Sequence, residues 1–210
     1  MRYDLVCLDL DGTLVDSGAD IAASLNWSLR REGMAELPEP RIIAAIGGGL
    51  PTLLDRTIGP DHPKRKEVHA GIIEHYSAHL LDRTTLYPGV RETLERLTVP
   101  RVLVTNKPEG MSRKLLAGLG ITDLFAAIYG GDTRPARKPD PGAVLESLER
   151  FKVAKSAAIL VGDSSVDVAT ARAAGIDCAA VTYGYATAGE LEGARYRLDR
   201  FADLLPIVTG

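Results

Sequence analysis

The residues that decide the fold are LVCLDLDGTLVDS, which run from Leu5 to Ser17. Four apolar, strand-favouring residues come first and end at Asp9, with Asp11 two positions later and Gly12 next. A strand has a period of two, so both carboxylates lie on the same side while the chain stays extended. Gly12 then allows a tight turn and a close approach of the backbone to a ligand.

Two ionised carboxylates at the end of a buried strand repel each other. At about 4 Å and an effective dielectric constant near 20, the repulsion is roughly 4 kcal/mol. One alternative is that Asp9 and Asp11 serve only as a helix cap and a turn residue. Acids clustered at a strand end are more typical of a functional site. We therefore predict a site that binds a metal and a phosphoryl group.

The whole-chain composition is that of an ordinary globular protein with a hydrophobic core. The chain has 210 residues, of which 45% are hydrophobic and 25% charged, and its net charge is −3. This balance argues against a surface for nucleic acid or an anionic membrane. We expect a cytoplasmic protein, a monomer or a homodimer, in which Cys7 and Cys178 are buried thiols inside apolar segments.

The rhythm of apolar residues predicts an α/β fold with an inserted helical domain. From Ser17 to about Leu81 the spacing is helical, and Ser17 with Asp20 resembles a capping box. After Gly89, apolar strands alternate with helices, which predicts a Rossmann-like doubly wound parallel sheet covered on both faces. We place the catalytic core at residues 1–15 and 87–210 and the helical insert at 16–86.

Polar residues follow the predicted strands, where a parallel sheet binds its ligands. They comprise Thr105 to Lys107 after one strand and Asp163 and Asp167 after another, with Lys138 between them in sequence. Taken singly, Thr105 suits a strand terminus, Lys138 a solvated loop, and the two acids a helix cap and its first turn. Together with Asp9 and Asp11, four carboxylates at one edge require a cation, and Mg²⁺ prefers such oxygen ligands.

Four sequence motifs resemble those of the haloacid dehalogenase superfamily. They are D-x-D-G-T after the first strand, a threonine ending the next, a lysine before Pro-Asp-Pro, and G-D-x-x-x-D after a later strand. The resemblance covers essentially the whole chain and includes a helical cap inserted after the first motif. It implies a phosphatase, because the dehalogenases of that superfamily lack an acid at the position of Asp11 and need no metal.

The resemblance also implies a role for each motif residue. Asp9 is the nucleophile, and Asp11 is first the acid for the leaving alcohol and then the base for water. Asp9, the main-chain carbonyl of Asp11, and Asp163 hold Mg²⁺, and Asp167 supports that shell. Lys138 neutralises charge. The phosphoryl oxygens are bound by Thr105 and by backbone amides near Asn106 and Gly12.

Glycines in the cap give the best indication of the substrate. Ile46 to Leu50, which contains Gly47, Gly48 and Gly49, resembles the substrate loop of phosphoglycolate phosphatases. These glycines suit either a backbone site for a carboxylate or a flexible connection between helices. A small phosphorylated metabolite, with 2-phosphoglycolate as the best candidate, is the predicted substrate. Other possibilities are a pyrophosphatase, a sugar or nucleotide monophosphatase, a phosphomutase, or an inactive binding module.

Overall fold

A parallel six-stranded sheet forms the centre of the fold in the computed structural model, which describes residues 2–210. The strands are, in chain order, β1 Leu5–Leu8, β2 Val15–Asp16, β3 Thr85–Leu86, β4 Arg101–Val104, β5 Ala127–Tyr129, β6 Ala158–Gly162, β7 Asp177–Val181 and β8 Tyr196–Leu198. Strands β2 and β3 pair as an antiparallel ribbon. The other six are all parallel, in the order β5-β4-β1-β6-β7-β8, which confirms the predicted sheet.

Helices cover both faces of this sheet. The helices are α1 Gly18–Arg31, α2 Glu39–Ile43, α3 Leu50–Thr57, α4 Arg65–Ala78, α5 Val90–Arg96, α6 Glu109–Gly118, α7 Gly142–Phe151, α8 Ser165–Ala174 and α9 Leu204–Thr209. Side chains of α5, α6 and α9 pack in one core, and those of α7 and α8 pack in the other. The predicted doubly wound arrangement is therefore confirmed.

Strand β1 shows how four residues build two cores. Val6 and Leu8 belong to one apolar cluster, whereas Leu5 and Cys7 belong to the opposite one. All four side chains are fully buried. A strand that is covered on both faces reads as a continuous apolar run rather than as alternation, which is why the sequence identifies it. Cys7 is a free buried thiol, as is Cys178.

Helices α1 to α4 form a third apolar cluster of their own. It is built from residues such as Leu25, Leu29, Leu54 and Ile72, and Met111 of α6 packs against it from the sheet side. The β2–β3 ribbon joins the segments that enter and leave these helices. We call this unit the cap, and its division from the core at 16–86 remains our prediction.

The predicted capping box at the start of α1 is wrong, because both side chains have partners distant in sequence. Ser17 donates its hydroxyl to Asp11 Oδ1 at 2.5 Å instead of capping its own helix. Asp20 accepts hydrogen bonds from the backbone N–H groups of Arg83 and Thr84 and from the Thr84 hydroxyl, at 2.7–3.0 Å to Oδ2. Asp20 thus ties the segment that leaves the cap to the helix that begins it.

Strand β8 and the β2–β3 ribbon were not predicted from the sequence.

Within residues 2–210, the structure contains no helix with the length and hydropathy needed to cross a membrane.

Candidate active site

The site lies where the carboxyl ends of three neighbouring strands meet. Strand β1 lies between β4 and β6, so chain connections leave it in opposite directions and open a crevice at this edge. Asp9, Thr105 and Asp163 each directly follow one of these strands. The sheet therefore brings together three residues that are up to 154 positions apart in the sequence.

Lys138 joins two of the acids. Its ammonium Nζ lies 2.8 Å from Asp9 Oδ1 and 2.6 Å from Asp167 Oδ1, and all three side chains are buried. The contact with Asp9 is a buried ion pair, and the contact with Asp167 is both an ion pair and a hydrogen bond. The amide of Asn106 donates to the Lys138 carbonyl at 3.1 Å and so holds this loop against the end of β4.

Three carboxylates converge here with one ammonium group. Oxygen atoms of Asp9, Asp163 and Asp167 all lie within 4.8 Å of one another. Asp163 Oδ1 is buried and accepts no hydrogen bond from the described residues, and Asp9 Oδ1 is paired with the ammonium of Lys138. Hard oxygen donors with an excess of negative charge are the donor set that Mg²⁺ prefers, so these residues fit the predicted ion.

Burial and mutual repulsion disfavour the ionised forms of these acids. Burial raises the pKa of Asp9 to about 6, with Lys138 opposing the rise and Asp167 adding to it. Burial, followed by the charges of Asp167 and Asp9, raises the pKa of Asp163 well above its usual range. The cluster is therefore electrostatically unsatisfied in the absence of a further positive charge.

Taken alone, the sequence allowed Asp167 to be a solvent-exposed acid in the first turn of a helix, and the structure shows that it is not exposed. It is completely buried, and its Oδ2 accepts hydrogen bonds from the backbone and the hydroxyl of Ser164, at 3.1 and 2.7 Å. Its other oxygen holds Lys138. Asp167 therefore fixes both the start of α8 and the position of the lysine.

Two glycines let the backbone close around Asp163. Gly12 has φ of +81°, and a Cβ there would lie 2.2 Å from Asp163 Oδ2. At Gly184 the same oxygen would be 2.5 Å away. A side chain at either position would displace the acid, which explains why the turn after β1 needs glycine for space as well as for conformation.

The carboxylate of Asp11 lies away from this cluster, which corrects the expectation that four carboxylates converge. It accepts hydrogen bonds from Ser17 Oγ and from Lys107 Nζ, the latter at 2.6 Å. Lys107 also donates to the hydroxyl of Tyr76 on cap helix α4, at 2.7 Å. Asp11 thus faces the cap side of the site, and its predicted metal contact through the main-chain carbonyl stays a prediction.

A cavity of about 80 Å³ lies between the core and the cap. Its polar wall includes Asp9, Asp11, Thr105, Asn106 and Lys107, and its cap wall is mainly apolar. Gly47 and Gly49 also line it, and a Cβ at Gly49 would lie 3.3 Å from the Asn106 carbonyl oxygen. The amides of Gly47, Gly48 and Gly49 have no acceptor among the described residues, but Gly48 is not among the residues that line the cavity.

Comparison with known proteins agrees with this geometry. The family model for haloacid dehalogenase-like hydrolases matches residues 6–181. The phosphoglycolate phosphatase of Chromobacterium violaceum is 38% identical over 97% of this chain and 95% of its own length. The chain belongs to the haloacid dehalogenase-like hydrolase family.

Further relatives of this hydrolase include the phosphoglycolate phosphatase of Cereibacter sphaeroides, which is 39% identical over 96% of this chain and 95% of its own. Among solved structures, a predicted phosphoglycolate phosphatase from Haemophilus somnus superposes with a TM-score of 0.92. It is 30% identical, and the match covers 99% of this chain and 98% of that one. The predictions of the family, of the fold and of a phosphoric monoester hydrolase are confirmed.

Three residues of the hydrolase site were not assigned a role from the sequence. Lys107 and Tyr76 connect Asp11 to the cap. Tyr185 donates its backbone N–H to Asp163 at 2.8 Å, and its hydroxyl oxygen accepts the backbone N–H groups of Ser17 and Gly18. A lysine immediately after Thr105 and Asn106 was the only local signal of these contacts.

Proposed function

We propose that this hydrolase is a magnesium-dependent phosphatase that acts on 2-phosphoglycolate through an aspartyl-phosphate. The single observation that carries the proposal is the buried contact of Asp9 with Lys138 beside Asp163 and Asp167, at the edge of the same cavity as Asp11. This arrangement provides a nucleophile, a positive charge and a separate acid within one small space.

In the first step, a carboxylate oxygen of Asp9 attacks phosphorus, and the bond from phosphorus to the ester oxygen breaks. Asp11 gives its proton to that leaving oxygen, which departs as an alcohol. In the second step, Asp11 takes a proton from water as the water oxygen attacks phosphorus. The bond to Asp9 then breaks and inorganic phosphate is released.

We assign the remaining core residues to binding the phosphoryl group and offsetting its negative charge. Lys138 lies close enough to Asp9 to offset negative charge that builds up on the phosphoryl oxygens. We assign Thr105 and the amides near Asn106 and Gly12 to those oxygens. Most of the task in phosphoryl transfer is to hold charges in position, and buried, mutually bonded side chains suit it.

Mg²⁺ would be held by Asp9, Asp163 and the main-chain carbonyl of Asp11, with Asp167 as a supporting group. When bound, the ion supplies positive charge that offsets the carboxylates and the phosphoryl oxygens. The buried Asp163 Oδ1, which has no hydrogen-bond donor, and the presence of three carboxylates beside one ammonium support this assignment.

A small substrate is supported by the size of the cavity and by the names of the relatives. At about 80 Å³, the cavity is much smaller than the roughly 300–1,000 Å³ of drug-sized pockets. The relatives named above are phosphoglycolate phosphatases. The free amides of Gly47 and Gly49, which line the cavity, support the backbone-site interpretation of the cap loop.

The test combines metal removal with one substitution. We expect EDTA to abolish hydrolysis of 2-phosphoglycolate and Mg²⁺ to restore it. Asp9→Asn should leave the fold intact and remove turnover, because an amide is too weak a nucleophile. Full turnover without a divalent ion, or substantial hydrolysis by a pure Asp9→Asn sample, would refute the mechanism.

A panel of esters compared by kcat/KM tests the substrate separately. It should include pyrophosphate, sugar phosphates and nucleoside monophosphates, and 2-phosphoglycolate is expected to rank first. If several of these rank above it, the substrate assignment fails while the phosphatase mechanism survives. Hydrolysis of p-nitrophenyl phosphate would exclude an inactive binding module.

A further inference from the structure

Lys107 is a buried cation at the boundary between the core and the cap. Its ammonium lies 2.6 Å from Asp11 Oδ1 and 2.7 Å from the Tyr76 hydroxyl, and 4.6 Å from the centre of the Tyr76 ring. Its side chain is only 4% exposed. A buried ammonium is costly unless its charge and its donors are used.

The mechanism described above leaves part of Lys107 unused. An ammonium has three donors, and two of them are taken by Asp11 and Tyr76. The third has no acceptor among the described residues. Lys107 is also the single cationic side chain among the residues that line the cavity, whose cap wall is built by Ile21, Ile46, Leu50, Leu53, Ile72 and Ile73.

A second set of unused donors lines the same cavity. Gly47 and Gly49 both line it, and their amides lack acceptors within residues 2–210. Gly49 lies against Asn106, the neighbour of Lys107 in sequence. One ammonium and the free amides of two glycines, beside the apolar cap wall, make a site that suits an anion.

We infer that Lys107 is a specificity-determining residue that, together with these glycine amides, binds a carboxylate on the leaving group of the substrate. The inference rests on the proposed phosphatase function. It names the substrate class as phosphate monoesters whose alcohol carries a carboxylate close to the ester oxygen. The required closeness follows from the 2.6 Å contact between Lys107 and Asp11, because Asp11 must itself reach the ester oxygen.

The experiment compares two esters of equal chain length. The substrate 2-phosphoglycolate carries the carboxylate, and 2-hydroxyethyl phosphate has a neutral hydroxymethyl group in its place. The wild-type enzyme should prefer the first in kcat/KM by about 10- to 100-fold, the range expected for a charge-assisted hydrogen bond. Lys107→Met should lose most of that preference, and Lys107→Gln should do the same.

Using the ratio of the two esters separates recognition from other effects of the substitution. Lys107 also contacts Asp11, so both esters will be hydrolysed more slowly by the variants, and hydrolysis of the neutral ester shows that the variant is folded. The matched control is Lys114→Met on the exposed face of α6, which should keep the wild-type preference.

Two results would overturn the inference while leaving the phosphatase function in place. One is an equal loss on both esters in Lys107→Met and Lys107→Gln, which would make Lys107 only a positioning residue for Asp11 and Tyr76. The other is a wild-type enzyme that hydrolyses both esters without preference. If the wild-type enzyme with Mg²⁺ hydrolyses neither ester, both the inference and the proposed function fail.

Discussion

Asp163→Asn should make the metal-free protein more stable and at the same time abolish its stabilisation by Mg²⁺. Most substitutions of a fully buried residue destabilise a protein. Asp163 is different because its Oδ1 has no hydrogen-bond partner and it faces two other carboxylates. An asparagine keeps an amide oxygen that can still accept the hydrogen bond from the Tyr185 backbone N–H.

The size of the effect follows from the geometry. Two unit charges 4.8 Å apart interact by about 3 kcal/mol at an effective dielectric constant near 20. Asp163 faces Asp9 and Asp167, and Lys138 offsets about one of these two charges. The net repulsion removed is therefore about 2 to 3 kcal/mol, which corresponds to a rise in Tm of roughly 4 to 12 °C for a protein of this size.

The assay is thermal unfolding in EDTA and in excess Mg²⁺, at several pH values. The folded-state pKa of Asp163 is raised, so its ionisation opposes folding. The wild-type protein recovers this stability as the pH falls below the raised pKa, and the recovery ends near the unfolded pKa of about 3.8. The advantage of the variant should therefore grow with pH above about 4 and then level off.

Asp177→Asn is the matched control, because Asp177 accepts hydrogen bonds from Arg195 and Tyr3. Its replacement should not stabilise the protein at any pH. A lower Tm for metal-free Asp163→Asn than for the wild type would refute the electrostatic argument. An unchanged increase of Tm with Mg²⁺ in that variant would refute the assignment of Asp163 as a ligand.

Two further predictions concern Asp9 and the start of the cap. Because the pKa of Asp9 is about 6, kcat/KM at limiting Mg²⁺ should fall about tenfold per pH unit below 6; a flat profile from pH 5 to 8 would contradict this. Tyr185→Phe removes the acceptor of two amides at Ser17 and Gly18. Thermal unfolding should show that the free energy of unfolding falls by about 1 to 3 kcal/mol. The decrease should be larger than for Tyr183→Phe, which loses one hydrogen bond to the Thr13 carbonyl. Equal decreases in the two variants would contradict this prediction.

The parts of the fold that could be predicted are those in which local sequence and burial agree. Strands β1 and β6 are buried on both faces and therefore appear as uninterrupted apolar runs. Their acidic ends were visible because each acid directly follows such a run. Topology then follows from the alternation of strands and helices, since parallel strands must be joined by crossovers.

The parts that were missed depend on partners distant in sequence or on very short elements. Strand β8 has three residues, and exposed Arg197 interrupts its apolar pattern. Ser17 and Asp20 match the spacing of a capping box, but Asp11 and Thr84 offer them stronger partners in the folded chain. Local spacing contains no information about which distant group will compete for a side chain.

The site residues divide in the same way. Asp9, Thr105 and Asp163 lie directly after strands, so the fold itself places them. Lys107 meets Tyr76 across 31 positions of sequence, and Tyr185 meets Ser17 across 168. Both contacts join the core to the first or last helix of the cap, and they exist only because the helical insert folds back over the strand ends.

The site contains two neighbouring groups of charged side chains, one around Asp9 and one around Asp11. They differ in whether residues of the cap take part. On the Asp9 side, three carboxylates share one ammonium, and all four residues belong to the core, so a cation can complete this system without the cap. On the Asp11 side, one carboxylate pairs with Lys107, and the cap completes the system through Tyr76. In the proposed mechanism, the nucleophile Asp9 is therefore contacted by core residues, whereas the acid Asp11 is connected through Lys107 to a cap residue, Tyr76. We therefore expect substrate selection to depend on the half of the site where the cap contributes side chains.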